Sequence, residues 1–163
     1  MSAGYHMPME TPRDFKADFK QLLRHTIVPL LKAAGFEARG QQSFRRPVGE
    51  VFQYLGYEGS RTNGKDSFAF TGNVSFQHVA PATLADFWCD DPAMWIAGMR
   101  MGYLTHGRDH WYRLEDHGPQ ALAAMMAHDL AQIVLPRLAT VATASDAKAL
   151  MLTLGPDRAS LQQ

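Results

Sequence analysis

The stretch GSRTNGKD, residues 59–66, comes within one residue of a phosphate-binding loop. Gly59, four intervening residues, Gly64 and Lys65 match G-x-x-x-x-G-K-[ST], but Asp66 stands where a hydroxyl would hold magnesium. Such a loop works because it opens a helix whose first amides point at the anion. Here the following residues, SFAFTGNVSF, alternate apolar and small polar types and read as a strand. Asn63-Gly64 between two strand-like runs is a hairpin signal, because both residues tolerate positive φ. The stretch is expected to be a hairpin tip that binds no nucleotide.

Other residue types could do chemistry. His106 and His110 stand four apart, with Asp109 between them and His117 beyond. On a helix that spacing could hold zinc. In THGRDHWYRL, Gly107 marks a turn leading into a strand, so the spacing loses its helical meaning and solvated turn histidines are expected. Cys89 is followed by Asp90 and Asp91. Two carboxylates would suppress the thiolate, so a buried structural thiol is expected rather than a nucleophile. Glu50, Glu58, Glu115 and Asp116 are further carboxylates, but the sequence does not show that any pair converges. No metal, cofactor or catalytic set is assigned.

The candidate binding surface is Glu58, Arg61, Arg100 and His110, with Arg108 and Trp111 beside them. Arg and Trp are common anchors at binding surfaces. Against this, Arg100 could pair with a carboxylate on a neighbouring strand and Trp111 could be core.

Elements must position these groups. Thr11-Pro12 is read as an N-cap and first helical residue. Phe15, Phe19, Leu22, Leu23, Leu30 and Leu31 follow at mostly helical spacing, with Gly35 as a left-handed stop. Pro29 inside this pattern predicts a bend or break near residues 25–28. SFRRP, EVFQYLGYE and DSFAFTGNVSFQ are strand candidates. In the last, Phe68, Phe70, Val74 and Phe76 share one face, and Ser67, Thr71, Asn73 and Ser75 the other. Gly72 in the apolar row suggests a bulge or a spot where a helix lies close. PATLADFWCDDP reads as a short helix or turn. MWIAGMRMGYL and DHWYRLED read as two strands joined by the THGR turn. Gly118-Pro119 opens a second long helix interrupted by Pro136, and Ser145 is read as the cap of a last short one.

The resulting order predicts an α+β fold: a two-layer sandwich with an antiparallel meander of about four to five strands against two long helices plus short ones. One domain is expected over 11–155, between a mobile tail at 1–10 and a loose one at 156–163. Lys plus Arg and Asp plus Glu each number 16, so the basic excess usual for nucleic-acid binding is missing. One cysteine suits a reducing cytoplasm. No apolar run approaches a membrane span.

FKQLLRHTIVPLLKAAGFEARGQQSFRR, VFQYLGYEGSRTNGKDSFAFTGNVSF, the Trp111 strand and IVLPRL together resemble the bacterial family called domain of unknown function 4304. The likeness spans about residues 13–140. It departs at Glu58-Gly59-Ser60, where a Gln-Lys/Arg-Ser run is expected. The resemblance implies a small intracellular α+β domain and no activity.

The expected function is therefore a non-enzymatic cytoplasmic interaction module, with a protein partner or small ligand, of the kind small bacterial immunity proteins exemplify. The alternative is an enzyme or small-ligand binder using the polar sheet face near Arg100 and His110.

Overall fold

The computed structural model describes residues 11–79 and 94–154. The two tails, the PATLADFWCDDP segment and Cys89, Asp90 and Asp91 lie outside them. The fold is α+β, an open antiparallel sheet with helices packed on it.

The first helical run comprises α1 (Phe15–Leu22), a π-helical turn (Leu23–Ile27) and α2 (Val28–Ala33). Thr11 is not its cap. The Asp14 side chain accepts a hydrogen bond from the Ala17 amide at 3.0 Å. Just before it, Arg13 reaches the Leu114 and His117 carbonyls, both at 2.8 Å, and holds the entering chain outside the helix. The expected bend is the π turn. Pro29 has no N–H to give, and its ring crowds the carbonyl four residues earlier. The wider turn re-pairs the backbone, with the Val28 amide donating to Leu23. Gly35, at φ 87°, ends the run. The Phe36 amide then bonds the Leu31 carbonyl at 2.9 Å, which folds Phe36 into the core.

Strands β1 (Glu37–Ala38), β2 (Ser43–Val48), β3 (Val51–Gly59), β4 (Ala69–His78) and β5 (Trp95–Arg100) follow in spatial order. The expected hairpin between β5 and a second strand does not form. After Arg100 the chain makes a helical turn, α3 (Gly102–Thr105), and β6 is only Tyr112–Arg113. Both β5 and β6 pair with β4, β5 along Asn73–Gln77 and β6 at Ala69–Phe70. The reason is close packing at Gly102. A Cβ there would lie 2.5 Å from the His110 nitrogen and 2.6 Å from the Arg108 oxygen. The returning chain crosses directly over that glycine. Gly72 likewise sits under the side chain of Met101, the residue that leads into α3.

The second helical run is α4 (Pro119–His128), a π turn (Asp129–Val134) and α5 (Leu135–Leu138), with Pro136 placed as Pro29 is in the first. The last helix, α6 (Ala144–Leu154), is capped by Thr143 rather than Ser145. Thr143 Oγ1 accepts from the Asp146 amide at 3.1 Å, while the Asp146 carboxylate accepts from the Ala142 and Thr143 amides. Those amides hold the Asp146 carboxyl below its ordinary value.

One face of the sheet joins the helices in a continuous core containing Phe44, Leu55, Phe70, Val74 and Phe76 with Phe19, Ile27, Leu31, Leu130 and Val134. The Phe70 ring packs against Phe19 at a 40° tilt with centroids 4.8 Å apart, and stacks on Tyr112 at 5.4 Å. The expected division of β4 holds for Phe70, Val74 and Phe76. Thr71 lies on the opposite face as expected, but it is fully buried there, with Oγ1 donating to the His110 carbonyl at 2.9 Å. That opposite, outer face is not uniformly open. Arg45, Phe52 and Tyr54 are buried on it, with Arg45 4.5 Å above the Phe52 ring.

Candidate functional site

Of the four proposed surface residues, the register of the sheet brings Glu58 and Arg100 together. Glu58 stands opposite Thr71, and Asn73 opposite both Gly56 and Arg100, so Glu58, Asn73 and Arg100 share the outer face. Arg100 Nη1 donates to the Asp109 carboxylate at 2.7 Å. Its other nitrogen lies 3.9 Å from Glu58. Its guanidinium carbon sits 4.8 Å from the centre of the Trp111 ring. Arg100 is thus clasped between two carboxylates and an indole while 37% of its side chain stays exposed. Exposed ion pairs of this kind add little stability. What they do here is fix where the cation and the ring point.

Trp111 also walls a recess of about 310 Å³ with Ser60, Asn63, Arg113 and Glu115. The floor belongs to the β3–β4 connection. Glu115 accepts the Phe68 amide at 3.0 Å, and that bond, with Arg113, keeps its carboxyl below the ordinary range. Asn63 uses both ends of its amide on Ala69, donating at 2.8 Å and accepting at 2.7 Å. The connection joins two strands and opens no helix, as the hairpin reading requires. Its turn chemistry differs, however. Neither Asn63 nor Gly64 takes a positive φ, and the Asn63 side chain acts as a substitute strand residue.

His110 does not join this surface. Positions 110, 111 and 112 alternate across the edge of the sheet, so His110 goes with Tyr112 and Trp111 goes with Arg100. The His110 ring stacks on His106, centroids 3.7 Å apart and 14° from parallel, and meets Tyr112 edge-on at 4.7 Å. Parallel rings do not aim their nitrogens at one point. Among the described residues no group of three or more His, Cys, Asp or Glu is placed to hold a metal. His117 lies beyond β6, and Arg108 is exposed in the turn. Arg61 is exposed in the β3–β4 connection and makes none of the Arg100 contacts described above.

Three residues that the sequence did not single out complete the inner side. Tyr112 donates to Asp129 at 2.5 Å, at the first position of the second π turn. Burial and that bond push the Tyr112 hydroxyl far up. Tyr57, buried nearby, is pushed up by burial and by the Asp129 charge. Burial and the neighbouring His106 push His110 below 6.5, with Asp129 partly offsetting them. The four described carboxylates at this surface are each turned to an arginine. Glu58 and Asp109 face Arg100, while Glu115 and Asp116 face Arg113.

These features define an α+β protein with a structured cationic and aromatic patch at one sheet edge. Compared with protein-family models, curated proteins and solved structures, the chain finds no match. No helix among the described residues is long and apolar enough to cross a membrane.

Proposed function

We propose that the chain is a non-enzymatic binding module whose contact surface is the Arg100–Trp111 patch on the outer sheet face. The observation that carries this reading is the clasp itself. Arg100 is held by Asp109 at 2.7 Å and lies over Trp111, yet both side chains remain partly exposed. Fixing a long side chain normally costs affinity when a partner binds. Here that ordering precedes binding. Arg and Trp are the residue types that dominate binding energy at protein interfaces.

A protein partner is proposed, in a bacterial cytoplasm, with the chain acting as small immunity proteins do. The resemblance to domain of unknown function 4304 supports the intracellular setting and supplies no activity. The balanced charge disfavours nucleic acid as the partner. A small-ligand reading is favoured by one observation, the polar recess on the other side of Trp111.

Affinity capture from the native cytoplasm, with wild type beside Arg100→Ala/Trp111→Ala, tests the proposal. The expected result is a specific partner whose affinity falls at least tenfold in the variant while folding is retained. Equal affinity in both proteins would overturn it. Recovery of no protein, together with turnover or tight binding of a small molecule, would replace it with the small-ligand reading.

A further inference from the structure

We infer that the His106–His110 stack is a proton-operated latch that sets the position of Arg100 on the outer face. The inference rests on reading the Arg100–Trp111 patch as the binding surface, and concerns how that surface is regulated.

The stack closes a short loop. His106 ends α3, its amide bonded to the Gly102 carbonyl at 2.7 Å. Gly107 then turns the chain at φ 68°. The Arg108 oxygen and His110 nitrogen pass so close to Gly102 that no side chain fits between them. The loop is therefore pinned at its base by backbone packing and at its mouth by two imidazoles 3.7 Å apart. Asp109, next to His110, is the residue that holds Arg100 at 2.7 Å. Thr71 anchors the His110 carbonyl from the sheet at 2.9 Å. Opening the loop lifts Arg108 and His110 off Gly102 together, so Asp109 between them moves and Arg100 loses its closest partner.

Every element packed around His110 brings a charge or a titratable group. α3 brings His106, held at Nδ1 by Thr105 at 2.7 Å. The turn brings Arg108 and Asp109. β6 brings Tyr112, edge-on. The second helical run brings Asp129, which Tyr112 engages at 2.5 Å and His128 approaches at 3.4 Å. Tyr57 on β3 bears on Asp129, whose charge raises it. Asp129 and Asp109 favour a proton on His110. Burial, His106 and Arg108 oppose it, and the opposition wins, so His110 sits below its ordinary 6.5.

The sign follows by linkage. A histidine that binds its proton more weakly in the closed loop than in the open one favours opening as pH falls below 6.5. The open-to-closed ratio can rise by up to about tenfold per pH unit for each proton involved.

Nuclear magnetic resonance of the full chain between pH 7.5 and 5, above the ordinary carboxylate range of roughly 4, tests the latch. The signals to follow are the histidine ring protons, the Trp111 indole N–H and the Arg100 Nε–H. The expected result is that the Trp111 and Arg100 signals shift with the same midpoint as His110. In His106→Gln the His110 midpoint should rise and the Trp111 response should shrink, and His110→Gln should abolish that response. Trp111 and Arg100 signals that stay flat while His110 titrates would overturn the latch, as would an unchanged response in His110→Gln. If a variant fails to fold, the wild-type coincidence or its absence decides alone. No partner is present, so a flat result removes the latch and leaves the binding reading standing. Equal capture by Arg100→Ala/Trp111→Ala removes the binding reading and leaves the titration intact.

Discussion

The two faces of the sheet handle polar groups in opposite ways. On the helix-covered face, Gln53 is fully buried and both ends of its amide have partners. It donates to the Leu138 carbonyl at 2.6 Å and the Val141 carbonyl at 2.8 Å, and accepts from Arg46 at 2.9 Å. Arg46 in turn donates to the Ala34 carbonyl at 2.7 Å, lies 4.6 Å from the Phe36 ring, and is lowered from its ordinary value by burial. These two side chains therefore tie down the carbonyl ends of both long helical runs, where the helix itself supplies no donors. On the outer face, Arg100 is partnered by side chains that are themselves about half exposed. The first network is a fixed fastening to backbone. The second is a set of exchangeable partners at a surface. The difference teaches that polarity alone does not mark a functional face. What distinguishes the outer patch is that its partners are half exposed, as the proposed binding role requires.

The comparison breaks most visibly if the inner face is hollowed out. Phe70→Ala should cost about 3–5 kcal/mol in denaturant unfolding, because the ring is fully buried between Phe19 and Tyr112. Next comes the fastening. Gln53→Leu leaves the Leu138 and Val141 carbonyls and the Arg46 guanidinium short of a partner, and should cost about 3 kcal/mol. A loss below about 1 kcal/mol would show that water replaces Gln53 at little cost.

Two smaller effects sharpen the contrast. Thr71→Val keeps the shape but removes the bond to the His110 carbonyl, and should cost about 1–2 kcal/mol. Arg100→Ala should cost less than about 1 kcal/mol, since its ion pairs are partly exposed. If Arg100→Ala destabilised as much as Gln53→Leu, the outer clasp would be a structural fastening and the division between faces would fall.

Much of the architecture was legible because it rests on periodicity. The alternation in β4 survives because one face meets a helix layer and the other does not. Both proline bends were legible because proline removes a donor wherever it falls. Helix starts were less so: Thr11, Asp14, Thr143 and Ser145 are all competent caps, and tertiary contacts chose Asp14 and Thr143. The 101–111 segment was misread because a short apolar run suits a strand or a helical turn equally. Only the crossing of His110 over Gly102 decides between them. At the site, Arg100 and Glu58 were singled out by residue type, but their meeting depends on strand register. His110 was placed on the wrong side because the position of β6 sets the alternation of 110, 111 and 112. Asp129 gave no signal, since one carboxylate on a helix is ordinary until Tyr112 is seen to bond it.

The central claim is that a partner meets the outer face at Arg100 and Trp111, not the helix layer. A photoreactive residue placed at position 113, exposed beside the recess, or at position 24, exposed on the first π turn, tests this in the native cytoplasm. Both positions are solvent-facing, so neither replacement should disturb folding. The account predicts a specific crosslink from position 113 that Arg100→Ala/Trp111→Ala removes, and none to the same partner from position 24. A specific crosslink from position 24 with position 113 silent would contradict it.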